Sequence, residues 1–153
     1  MRKQKRTIGS IVKIDLGNDE HSYARVLDKA CYAFYDIKAR EEIKNLNEII
    51  SKPILFIVSA YDDIITRGRW VKIGVVPLED KLKQLPMQFI KDAINPDEFS
   101  IYNPNTGEIF PAKKEECISL ECAAVWEAEH VEERLKDHFQ GKQNRWLDDM
   151  KIK

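Results

Sequence analysis

Between residues 11 and 16 apolar and polar positions alternate, with Val12, Ile14 and Leu16 on one side and Lys13 and Asp15 on the other. A period of two sends successive side chains to opposite faces of extended backbone, so this segment predicts a half-buried strand. Gly17, Asn18, Asp19 and Glu20 then predict a turn, because Gly and Asn tolerate left-handed backbone. Residues 23–27 and 31–37 predict two more strands, joined across Asp28 and Lys29. Three short strands in succession predict a meander, the start of a small barrel or curled sheet. The period changes after Arg40: Ile43, Leu46, Ile49 and Ile50 recur at helical spacing, and Lys52-Pro53 stops them. Residues 54–58 are continuously apolar and rich in β-branched side chains, which predicts a central strand covered on both faces.

Alternation returns over residues 70–75 and ends at Pro77. Leu78, Leu82 and Leu85 predict a short helix broken by Pro86, and residues 87–91 a further helical turn. Residues 99–102 and 108–110 flank Asn103-Pro104-Asn105-Thr106-Gly107, a hairpin signal with Gly where a positive φ is needed. A helical stretch over 113–121 would bury Cys117 and Leu120, and residues 123–126 would form an edge strand. Val131, Leu135, His138 and Phe139 recur as one face of a helix. Acidic residues gather at its N-terminus, where the macrodipole favours them, and Gly141 follows as C-cap. The expectation is an α+β, β-rich fold: a curled or barrel-like, mostly antiparallel sheet with short helices and a C-terminal helix against it. One domain over 1–153 is the economical organisation.

At 153 residues, 43% apolar and 33% charged, the chain has an ordinary globular composition. Its 25 basic and 26 acidic residues leave a formal net charge of -1. Nucleic-acid binders usually carry a basic surplus, because phosphate neutralisation supplies much of their affinity, so nucleic acid is not the expected partner. Charge is uneven along the chain: Arg2, Lys3, Lys5 and Arg6 open it, and Glu127, Glu129, Glu132 and Glu133 crowd a later stretch. Solvated surface is the simplest account of both. Cys31, Cys117 and Cys122 form an odd set without a Cys-x-x-Cys pair, which suits free thiols in a reducing compartment. No signal-peptide pattern follows the basic start, and the longest apolar run is too short to span a bilayer. A cytoplasmic protein with no membrane partner is expected.

Gly-rich phosphate loops, nucleophile elbows and HExxH zinc motifs are missing, and no cofactor or catalytic residue is predicted. His130, Glu133 and Asp137 share one helical face, as in some metal sites, but opposite-charge pairs on the same helix explain them without a metal. Arg67-Gly68-Arg69-Trp70 with Lys72 mixes basic and aromatic groups as single-strand binders do; a turn leading into a strand whose Trp packs on the sheet is the plainer alternative. His21 with Cys31 is a formal nucleophile pair that nothing orients. Trp126, Glu127, Glu129, His130, Glu132 and Glu133 are the expected partner-binding residues. An aromatic anchor ringed by charge is what a tight interface uses, though Trp126 would serve equally as a core plug.

Several strings, in order, resemble the immunity protein 26 family of bacterial polymorphic toxin systems. In the first half they are Gly9-Ser10-Ile11-Val12-Lys13-Ile14, Tyr23-Ala24-Arg25-Val26-Leu27, Phe34-Tyr35-Asp36, the run from Ser51 through Val58, and Gly68-Arg69-Trp70. Later come the run from Ile101 through Gly107, Glu115-Glu116-Cys117, Ala124-Val125-Trp126-Glu127 and Glu129-His130-Val131-Glu132. Ala128 stands where the family pattern often has Pro, and Ala suits a helix start equally well. The resemblance implies a small β-rich protein that binds and neutralises a toxin encoded beside it, a nuclease in many such systems. It implies no catalytic residues. The rival is an SH3-like barrel that binds or cleaves RNA, to which the strings at 9–14 and 23–27 are also similar; Arg25, Arg67 and Arg69 would then contact phosphate.

Overall fold

The computed structural model describes residues 3–152, so Arg2 lies outside the described residues. Alternation at the start of the chain becomes a meander of β1 (Ser10–Gly17), β2 (Glu20–Val26) and β3 (Cys31–Tyr35), all antiparallel. Both hairpins turn on two residues with positive φ, Asn18 and Asp19 in one, Lys29 and Ala30 in the other. That backbone matches the twist of the flanking strands. β4 (Ile54–Ala60) adds to β3, and β5 (Val71–Val75) adds to β1. A two-residue strand, β10 (Val125–Trp126), lies parallel to β4, giving the order β10-β4-β3-β2-β1-β5.

One expectation is narrowed here and another changes. The end strands β10 and β5 do not pair with each other, so among the described residues the sheet is open and no closed barrel forms. β4 is second from the edge, and its residues alternate between buried and half-buried. β3, buried at every position, is more central. The apolar run of β4 reflects packing on one face and partial cover on the other.

Each face of this sheet has its own cover. Val12, Ile14 and Leu16 point to the side where Val131 and Leu135 pack, on helix α5 (Ala128–Phe139). Ile11 and Tyr23 point the other way, beneath Ile43, Leu46 and Ile49 of the segment that ends in helix α1 (Leu46–Ile50). Helix α2 (Asp63–Thr66) links β4 to β5, and α3 (Asp80–Lys83) contributes the buried Leu82. His138, expected on the buried stripe of α5, is exposed beside Asp36, whereas the unpredicted Arg134 is buried.

A second sheet, of four strands, is built on the predicted hairpin of β7 (Phe99–Tyr102) and β8 (Ile109–Ala112), with Gly107 at φ +81°. Residues 87–91 were expected to be helical. Most of them form β6 (Gln88–Lys91), held between β7 and the short β9 (Glu121–Cys122). The helix expected over 113–121 is a single turn, α4 (Lys114–Cys117). A short C-terminal helix, α6 (Arg145–Met150), follows α5, its start capped by the Asn144 side chain. The three cysteines are free. No helix among the described residues is long and apolar enough to cross a membrane.

Candidate functional site

The turn after α2 and the outer side of α5 are held together by one carboxylate. Glu132 accepts from Arg69 Nε and Nη2, both at 2.9 Å, and from the Trp70 indole N–H at 3.0 Å. Its side chain is only 13% exposed. Such a two-pronged ion pair fixes both orientation and position. The same hydrogen bond to Glu132 is the main reason the Arg69 guanidinium is held above its ordinary pKa. Arg69 also reaches Glu129, at 3.4 Å.

Around Arg69 lies an open cleft of about 410 Å³, lined by Tyr61, Asp63, Ile64 and Arg67 on one wall and Glu127, Ala128 and Glu129 on the other. Tyr61 is half exposed, as is the nearby Val125 on β10, whose neighbour Trp126 accepts from the Tyr61 N–H. Glu127 and Glu129 are well exposed, at 59% and 64%. The result is an aromatic ring and two aliphatic side chains bordered by charges of both signs. Arg69 also borders a second cleft, of about 460 Å³, with Lys13, Asp15, Arg40 and Glu42.

The six predicted contact residues therefore divide into four groups. Glu127 and Glu129 face the cleft. Glu132 holds Arg69 and Trp70 and is largely covered. His130 and Glu133 turn toward α6: the His130 ring stacks on Trp146 with centroids 3.6 Å apart, while Glu133 accepts from the Trp146 indole N–H and pairs with Arg145 at 3.6 Å. Trp126 is 2% exposed, so it supports the cleft from inside instead of presenting itself as an anchor. Over its ring and that of Phe56 lies the guanidinium of Arg134, whose Nη1 and Nη2 donate to Glu121 at 3.0 and 2.9 Å.

The residues of the other readings are also placed. Asp137 accepts from Asn144 at 3.0 Å, so each of His130, Glu133 and Asp137 is engaged elsewhere; among the described residues no group of three or more His, Cys, Asp or Glu could hold a metal ion. His21 bonds to the Tyr23 hydroxyl at 2.9 Å and Cys31 lies 3.5 Å from the Ser59 hydroxyl, so the two have separate partners. Burial pushes the Cys31 thiol up and the His21 imidazole down. Arg25, a phosphate contact in the RNA-binding alternative, is wholly buried. It donates to the Gly9, Val76 and Pro77 carbonyls, the Tyr35 hydroxyl and Glu79, so all five of its donors are used. Trp70 is buried edge-on against Tyr32 and Phe34, so its own ring offers no face for a base to stack on.

Tyr61 is not among the residues predicted to contact a partner. Its one local signal was an aromatic residue ending an apolar run immediately before Asp62-Asp63, which marks a strand end and not a surface. The structure joins it to Arg67 and Arg69, singled out for nucleic acid, and to Glu127 and Glu129, singled out for a protein partner. No curated protein and no solved structure matches the chain. Residues 7–100 match the sequence pattern described as Immunity protein 26. That span covers well over half of the chain and carries the meander, β4, the Tyr61–Arg69 wall and β5, and the chain belongs to the Immunity protein 26 family.

Proposed function

We propose that this protein works without chemistry of its own: in a bacterial cytoplasm it binds the toxin of a polymorphic toxin system and covers the surface that toxin needs. The observation that carries this is the cleft beside Arg69. A half-exposed Tyr61 stands among aliphatic side chains, rimmed by Arg67, Arg69, Glu127 and Glu129, and the wall behind it is fixed by Glu132. Tight protein interfaces combine a rigid aromatic anchor with a polar rim, and a footprint of roughly 1,600 Å² in total is the usual size. Family membership supports a toxin as the partner.

Glu127 and Glu129 project from the cleft, and Glu129 pairs with the Arg69 nitrogen left over by Glu132. They suit a toxin with a basic working surface, such as a nuclease, and steer its approach. Glu132 and Trp126 act from behind the surface, so the test spares them. With the toxin encoded beside this gene, Glu127→Lys combined with Glu129→Lys slows association about tenfold or more at low salt, and the gap narrows as salt rises. Rescue of toxin-expressing cells weakens in parallel. An unchanged association rate would remove this cleft from the interface.

A further inference from the structure

The basic start of the chain was expected to be solvated surface. Arg6 is instead mostly covered, and the segment from Gln4 to Thr7 is laced to the wall that carries Arg67 and Arg69. Gln4 is the centre of that lacing. Its side-chain amide donates to the Ile65 and Trp70 carbonyls, both at 2.8 Å, and its side-chain oxygen accepts from the Lys72 N–H at 2.8 Å. The Gln4 backbone N–H donates to the Thr66 carbonyl at 3.1 Å. One residue thus binds the backbone on both sides of the Arg67-Gly68-Arg69 turn. Arg6 holds the other end: it pairs with Asp62 at 3.1 Å, donates to the Cys31 carbonyl at 3.0 Å and lies over the Tyr32 ring. Lys72 returns the contact through its ammonium group, to the Lys5 carbonyl and the Thr7 hydroxyl, each at 3.0 Å.

Between these ties the wall has little regular structure: one turn of helix, α2, without a side-chain cap, then a glycine at φ +80°. Such a segment opens easily unless tertiary hydrogen bonds hold it, and a surface that must be ordered on binding loses affinity to the cost of ordering. We infer that the N-terminal strap, through Gln4, is a positioning device that holds the Asp63–Arg69 wall in its partner-ready shape before the toxin arrives. This inference rests on the cleft being the toxin-facing surface.

Gln4→Leu keeps the bulk of the side chain and deletes its three hydrogen bonds; Gln4→Glu keeps an acceptor for Lys72 and loses both donors. Both are made in the full chain and followed by amide hydrogen exchange and by binding to the toxin encoded beside the gene. Exchange at residues 65–70 should rise about tenfold or more for Gln4→Leu and less for Gln4→Glu, with β2 and β3 unchanged. Toxin affinity should fall by a similar factor, mostly through faster dissociation. In an Arg69→Ala background, Gln4→Leu should add little, because its effect passes through that wall. Exchange at 65–70 that stays at the parent rate, or that rises while toxin binding stays intact, would overturn the strap. Parent protein that binds no toxin would instead overturn the assignment of the cleft, and with it the positioning role of Gln4.

Discussion

Arg25 shows how one side chain can mislead when only its neighbours in sequence are known. In an alternating strand beside Tyr23 it looks like a surface cation, yet it is the hub that ties β2 to the turn after β5. Gly9 completes that joint: at φ +92°, a β-carbon there would sit 2.6 Å from the Val76 carbonyl oxygen. Replacing Arg25 by Met removes a donor from the Val76 and Pro77 carbonyls, the Tyr35 hydroxyl and Glu79, and leaves the Gly9 carbonyl with only the Val76 N–H. The expected cost is about 3–5 kcal/mol of unfolding free energy, measured by urea titration. A loss below about 1 kcal/mol would mean that the hub is dispensable. Glu132 follows the same logic at the cleft, where its worth lies in what it holds and not in what it shows to solvent.

At the scale of elements, the strands of the meander were legible because alternation and turn residues are local signals. Val12, Ile14 and Leu16 pointed to one covered face, and Gly107 to a hairpin. The rest depended on contacts that no local pattern encodes. Residues 88–91 became β6 because β7 and β9 lie on either side, and β4 lost its central place because β10 adds only two residues beyond it. The segment over the far face of the sheet is fixed in a similarly non-local way. The Tyr23 hydroxyl accepts from the Ile43 N–H at 2.9 Å and bonds to His21 Nε2, while His21 and Ala39 exchange backbone hydrogen bonds. Burial first, and then the charge of Lys13, hold the His21 imidazole below its ordinary value of 6.5. On acidification the unfolded chain takes up that proton before the folded one does. The His21 contribution is therefore complete above the unfolded value and is lost as pH falls through it toward the lower folded value. Urea midpoints should drop between about pH 7.5 and about pH 5.5, and His21→Gln should flatten that drop. Equal slopes for the two proteins would remove His21 as the cause.

For the whole molecule, the span matching the family ends at residue 100, but the fold does not. Val131 and Leu135 of α5 fill the main core, and Glu127 and Glu129 supply the second wall of the cleft. Arg134 and Glu121 then tie the second sheet to that helix. The surface proposed to meet the toxin thus draws on both ends of the chain and on the strap at its start. Half of it was visible in the sequence as the acids near Trp126 and half as the basic turn at Arg67–Trp70; their meeting was not, because the two stretches lie far apart along the chain. If the protein acts by covering its partner, inhibition must be stoichiometric. The decisive measurement is a titration of the toxin encoded beside the gene, with toxin activity read at concentrations well above the dissociation constant. Occlusion predicts a linear fall to zero at one protein per toxin, with both chains recovered intact. Inactivation of many toxin molecules by one protein, or a toxin left fully active at excess, would contradict it.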